Sequence, residues 1–125
     1  KKESMMKILV VDDSRAMRRI VSRTIRQAGF TGHDIVEAEN GQEALEVAKA
    51  EKPDLILSDW HMPVMTGIEF LSALNAEGLE IPFGFVTSES TKEMVDQATE
   101  GGAMFLLAKP FTADDMAQVL GAFVS

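Results

Sequence analysis

No cysteine occurs among the 125 residues, which excludes a disulfide framework and fits a reducing, cytoplasmic setting. No apolar run approaches the ~18 residues that a membrane-spanning helix requires. The basic start "KKESMMKILVV" leads into too short an apolar stretch for a secretory signal, and no small-residue cleavage site follows it. Positive charge is in deficit as well. Twelve Lys and Arg against 20 Asp and Glu leave a formal net charge of −8, the wrong sign for nonspecific nucleic-acid binding, which depends on a basic surface displacing phosphate counterions. Linkers, low-complexity tracts and a second domain are all missing. A chain of this length is read as one domain over residues 7–125, burying roughly two thirds of the surface its unfolded form exposes. Residues 1–6 are read as an N-terminal extension or cloning remnant with no assigned role.

What is present is a repeating alternation. Five short apolar runs, "KILVV" at 7–11, "DIVEA" at 34–38, "DLILS" at 54–58, "IPFGFV" at 81–86 and "MFLLA" at 104–108, read as strands. Runs without polar alternation imply burial on both faces, as in a parallel sheet, and the segments between them are long enough for crossover helices. The first such segment carries Met17, Ile20, Val21, Thr24, Ile25 and Ala28 at helical spacing, with Ser14 as a candidate N-cap and Gly29 as a stop. Ala44, Leu45 and Ala48, then Ile68, Leu71 and Leu74, then Met94, Val95 and Ala98, then Met116, Val119, Leu120 and Phe123 repeat the pattern. The expected fold is α/β, an open doubly wound five-stranded sheet with five helices, too short for an eight-unit barrel. Such sheets bind ligands at the carboxyl ends of their strands.

The residues that terminate the runs are unusual as a set: Asp12 and Asp13 after the first, Asp59 after the third, Thr87 after the fourth and Lys109 after the fifth. Any one Asp in such a place is most simply a turn or cap residue. Together they place three carboxylates, a hydroxyl and an ammonium at one sheet edge. Two unit charges ~4 Å apart repel by about 4 kcal/mol at an effective dielectric near 20, so the carboxylates need a counter-charge or shifted pKa values. Lys109 alone leaves a deficit that a hard divalent cation, most naturally Mg²⁺, would fill. A carboxylate beside such an ion can attack phosphorus to form an aspartyl phosphate. Spacing does not say which Asp plays which part.

The stretches "VVDDS", "SDWHMPVMTGIEFL", "VTSES" and "LAKPFTADDM" resemble the markers of response-regulator receiver domains of two-component signalling, and "DWHMPVMTG" and "MRRIV" resemble the single-domain chemotaxis type. The resemblance runs from about Lys7 to Val124. It implies a flavodoxin-like sheet of strand order 2-1-3-4-5. It also implies that Asp59 is the phosphoacceptor, that Asp13 ligates Mg²⁺ directly and Asp12 through water, and that the backbone carbonyl of His61 completes the protein ligands. Thr87 would close onto the phosphoryl group, and Lys109 would pair with it beside a cis peptide to Pro110. The activity implied is self-phosphorylation from a phosphohistidine donor and slow self-hydrolysis, a switch and not a metabolic enzyme.

Some positions depart from the family pattern. Leu106 stands where many members carry Tyr or Phe whose ring turns inward after phosphorylation, so the usual ring-and-hydroxyl readout is absent. Phe105 points to the opposite face of its strand and belongs to the core. Thr66 replaces a frequent Asp before Gly67 and is read as a loop or cap residue. His61 and Glu89 occupy positions that tune phosphoryl lifetime in the family, and His61 would make dephosphorylation pH-dependent.

Five of the twelve basic residues, Arg15, Arg18, Arg19, Arg23 and Arg26, cluster in the first helix. A solvated face is the ordinary reading. The resemblance instead implies docking of a histidine kinase or phosphotransfer protein, with Arg15, Arg18 and Arg19 as the contacts. A downstream protein target would be met through helix 4, strand 5 and helix 5, by a monomer. The competing readings are a phosphorylation-independent interaction module of the same fold, and the excised receiver of a longer regulator with a DNA-binding or enzymatic output domain. An aspartate-based phosphatase would more naturally show Asp-x-Asp after strand one, and a nucleotide module a glycine-rich cradle; "DDSRAM" shows neither.

Overall fold

Strict alternation of strand and helix leaves parallel pairing as the natural sheet, because each strand is separated from the next by a crossover. A computed structural model of the chain describes residues 5–123; the rest of the N-terminal extension, and Val124 and Ser125, lie outside that range. The elements are β1 (Lys7–Val11), α1 (Arg15–Gln27), β2 (Asp34–Ala38), α2 (Gly41–Glu51), β3 (Leu55–Ser58), α3 (Gly67–Ala76), β4 (Phe83–Thr87), α4 (Lys92–Glu100), β5 (Phe105–Ala108) and α5 (Ala113–Leu120). The sheet is parallel throughout, in the order β2-β1-β3-β4-β5, as expected. No described helix is long and apolar enough to cross a membrane.

Helix starts follow local chemistry. Ser14, Asn40, Thr66, Thr91 and Thr112 each accept a backbone N–H of the first turn, satisfying a donor that would otherwise be orphaned. Thr66 and Thr112 also close capping boxes with Glu69 and Asp115, which gives Thr66 the cap role expected of it. Helix α1 ends at Gln27 with Ala28 as its C-cap, and the chain turns away at Gly29, whose φ of +102° suits a residue without a Cβ. The N–H of Gly29 donates to the Arg26 carbonyl at 3.0 Å and that of Phe30 to the Ile25 carbonyl at 3.2 Å, the Schellman arrangement.

Several boundaries differ from expectation, β3 and β5 each beginning one residue later than their runs, at Leu55 and Phe105. Strand β4 begins at Phe83 and ends at Thr87, because Pro82 has no N–H to offer a ladder. The carbonyl of Met6, just before β1, accepts from Asp34 N at 2.9 Å. Helix α5 stops at Leu120, before Phe123, yet the Phe123 ring still stacks against Phe105 with centroids 5.9 Å apart.

The sheet divides the core in two. Leu9, Val11, Ile56, Phe83 and Phe85 face α2, α3 and α4, burying Ala44, Leu45, Ala48, Phe70, Leu71, Leu74 and Ala98. Ile8, Val10, Leu55, Leu57, Val86 and Leu107 face α1 and α5, burying Val21, Ile25, Met116 and Leu120. The alternation of Leu9 and Val11 with Ile8 and Val10 is the strand's period of two made physical. Ile20 is an exception to the expected α1 stripe, being 43% exposed.

Gly84 pairs with Phe105 across β4 and β5, and the ring folds over the glycine so closely that a Cβ there would lie 2.2 Å from it. We expect Gly84→Ala to cost about 1–3 kcal/mol through overpacking, read by urea unfolding. Adding Phe105→Leu should recover part of that loss, because it removes the atoms in the way.

Candidate functional site

The site is assembled by backbone register before any side chain acts. The N–H of Asp59 donates to the Val11 carbonyl at 2.8 Å, the N–H of Asp12 to Ala38 at 3.1 Å and the N–H of Lys109 to Thr87 at 2.8 Å. Strands β1 and β3 flank the point where sheet order reverses, so Asp12 and Asp59 emerge side by side at the crevice where open α/β sheets take ligands.

Asp12 is 4% exposed. One oxygen, Oδ1, accepts the Ser14 N–H at 2.9 Å, and the other accepts from Lys109 Nζ at 3.0 Å. Asp59 keeps only 12% of its side chain accessible and lies 3.5 Å from the same ammonium. Its Oδ1 accepts the Trp60 N–H at 2.8 Å, which fixes the carboxylate plane. Asp13 is exposed, yet oxygens of Asp12, Asp13 and Asp59 all lie within 4.8 Å of one another. Gly67 closes the back: a Cβ there would lie 2.2 Å from the Asp59 carbonyl, so no larger residue starts α3 without moving the acidic loop.

Burial is the main force raising the Asp59 pKa above the ordinary carboxylate range, and the negative charge of Asp12 adds to it. Lys109 and the Trp60 N–H pull the other way without restoring it. A single ammonium thus undercompensates the cluster. Three hard oxygen donors with surplus negative charge fit a hard divalent cation. The carbonyl of His61 accepts no backbone N–H among the described residues, whereas the preceding Trp60 carbonyl is taken by Gly67 N at 2.8 Å, so it remains open as an additional oxygen donor.

Thr87 is fully buried at the end of β4, with Oγ1 accepting the Glu89 N–H at 3.4 Å. The Lys109–Pro110 peptide is cis, as expected. His61 Nε2 and Glu89 Oε1 meet at 2.6 Å and tie the loop after β3 to the loop after β4. The sequence reading named both residues but missed the pairing; its signal was that each stands two residues beyond a strand-end site residue on neighbouring strands.

The arginines divide. Arg18 turns inward, donating from Nε to Glu37 at 2.7 Å and from Nη1 to the Asp12 carbonyl at 2.6 Å, so it braces the acidic loop. Arg15 and Arg19 are exposed and flank the exposed Ile20 with Ala16 and Arg23. Leu106 is half-buried against the α2–α4 side of the core and Phe105 against the opposite side. Sequence reasoning missed Trp60, which is 6% exposed and stacks on Phe85 with centroids 4.7 Å apart.

Fold and site together define a flavodoxin-like domain with an acidic, lysine-braced pocket at its switch point. The chain belongs to the response regulator receiver domain family, whose model matches residues 8–121. It is 39% identical to the chemotaxis protein CheY of Pseudomonas aeruginosa over 110 residues, covering 86% of this chain and 87% of that one. To CheY-3 of Vibrio cholerae it is 38% identical over 117 residues, 92% and 88% of the two chains. The structure of CheY4 of Vibrio cholerae superposes with a TM-score of 0.85 at 35% identity, covering 97% of this chain and all of that one. Receiver domains are signalling modules that bind Mg²⁺ at an acidic pocket and act with histidine kinases and downstream targets.

Because Asp59 is raised, the native protein without metal holds more protons than the unfolded chain between the unfolded carboxylate pKa and the native one. Its stability therefore falls as pH rises through that window. Asp59→Asn should remove this cost and raise Tm near neutral pH in chelator. The gain should vanish at pH values below the window; a Tm difference independent of pH in calorimetry would contradict the burial argument.

Proposed function

We propose that this chain is a phosphoacceptor switch in which Asp59 takes a phosphoryl group from a phosphohistidine, and that the modified form changes its affinity for a protein partner. The observation that carries this reading is one ammonium, Lys109 Nζ, 3.0 Å from Asp12 and 3.5 Å from Asp59, beside a third carboxylate. Asp12, Asp13, Asp59 and the His61 carbonyl would hold Mg²⁺, which when bound neutralises phosphoryl oxygens.

With Oδ1 of Asp59 clamped by the Trp60 N–H, Oδ2 on the Lys109 side is the oxygen offered to phosphorus. A P–O bond forms there as the P–N bond to histidine breaks, and the imidazole leaves with the electron pair. Lys109 shifts from a carboxylate partner to a phosphoryl partner. The Thr87 hydroxyl, which accepts from Glu89 N, turns its proton toward a phosphoryl oxygen and carries the β4–α4 loop with it, a displacement that biases a two-state surface. The affected surface is α4, β5 and α5, where Val95 on α4 is 41% exposed and Met104, just before β5, 59%. The kinase side is α1, through Arg15, Arg19 and Ile20, with Arg18 holding Asp12 in place. Hydrolysis reverses the modification, and the His61–Glu89 bridge over the mouth limits the approach of water.

Intact mass after incubation with acetyl phosphate and Mg²⁺ tests the chemistry. The expected result is a gain of one phosphoryl group, lost with chelator and in Asp59→Asn; no gain on fast quench would leave a phosphorylation-independent module. Arg15→Glu with Arg19→Glu should slow transfer from the cognate phosphohistidine protein about tenfold or more while labelling by acetyl phosphate is unchanged, since the small donor needs no docking surface. Equal loss with both donors would argue against docking.

A further inference from the structure

Beyond the acidic pocket, α1 and the edge strand β2 enclose a second concavity. Arg19, Ser22, Arg23 and Arg26 from the helix and Ile35 and Glu37 from the strand line a cavity of about 390 Å³, within the range of small-ligand sites. The three arginines recur at i, i+4 and i+7, so they share one face over roughly 10 Å of helix. None of them pairs with a carboxylate among the described residues, and Glu37 is already committed to Arg18. In a chain of net charge −8, unpaired like charges one turn apart repel one another, and a bound anion would relieve that repulsion.

An independent observation lies beneath them. Ser22 is 8% exposed and its hydroxyl is buried with no hydrogen-bond partner. Thr24, on the same helix, returns its hydroxyl to the Ile20 carbonyl at 2.7 Å, so the unmet Ser22 donor is particular to this place. A buried hydroxyl without a partner is costly; its oxygen is covered while the groove is empty, so an acceptor reaches it only when the side chains over it part. We propose that this groove binds a small phosphate-bearing anion, gripped by Arg19, Arg23 and Arg26 over Ser22. Guanidinium forks match phosphate oxygens in bidentate fashion. An acidic peptide added along β2 fits less well, because it would run past the exposed Asp34 as well as Glu37, whereas the groove itself meets Glu37 alone, already neutralised by Arg18.

The inference does not use the chemistry of Asp59. Its test is ¹⁵N NMR of the full chain titrated with inorganic pyrophosphate in chelator, against NaCl at matched ionic strength. Saturable shifts of the Arg19, Arg23 and Arg26 Nε–Hε signals and of the Ser22 and Ile35 amides are expected. The apparent Kd should weaken about tenfold or more in R23A/R26A, with circular dichroism unchanged, and severalfold in Ser22→Ala. Shifts confined to the surroundings of Ser14 and Lys109, or shifts that NaCl reproduces, would overturn the proposal. Tighter binding of a glutamate-rich decapeptide, lost in the same double variant, would replace the small anion with a protein partner.

Discussion

A lysine that reaches across the carboxyl edge of the sheet is what makes the acidic pocket tolerable. Asp12 is 4% exposed, and a carboxylate so enclosed holds its charge only beside a partner. Lys109 supplies that partner from β5, while Asp12 follows β1 and Asp59 follows β3, with β4 lying between β3 and β5. The strand order, the length of the lysine arm and the tie of its N–H to Thr87 are therefore one constraint. Arg18 contributes from the other side, holding the Asp12 carbonyl and Glu37 together. The same constraint leaves a surplus of negative charge, and that surplus makes the pocket receptive to a cation.

The parts of this arrangement that repeat along the chain were legible in the sequence. Apolar runs marked all five strands, but two-sided burial holds only for β1, β3 and β4, the edge strands β2 and β5 being partly exposed; Asp12, Asp13, Asp59, Thr87 and Lys109 stood out because each ends such a run. Strand order came from family resemblance, since periodicity carries no information about which strands are neighbours. What stayed hidden depended on side-chain direction. Arg18 and Arg19 are adjacent in a charge run, yet one is drawn inward by Glu37 and the other left in solvent. Ile20 fits the apolar stripe by spacing but lies at its margin, and the burial stops short of it. The β4 start moved because of one missing N–H at Pro82, and Phe123 reaches the core from beyond a helix end by the length of its ring.

The aromatic residues are distributed differently from the family pattern that Leu106 breaks. Phe85 pairs in register with Leu106, so an aliphatic side chain on β5 faces a ring on β4. That ring belongs to a contiguous series: Trp60 on Phe85 at 4.7 Å, Phe85 on Phe83 at 5.0 Å, and Phe83 on Phe70 at 5.6 Å. The aromatic mass on this side of the sheet thus starts one residue from Asp59 and runs inward to α3, instead of standing on β5.

Trp60 heads that series, and it is the chain's single tryptophan. Its backbone N–H donates to Asp59 while its indole is buried in the core against Phe85, so the backbone of one residue belongs to the pocket and its side chain to the interior. Any rearrangement of the Asp59 carboxylate alters the electric field and the quenching around a single fluorophore. The domain thus carries one ultraviolet fluorophore a single residue from Asp59, placed where ion binding or modification, if they occur at the pocket, would be felt.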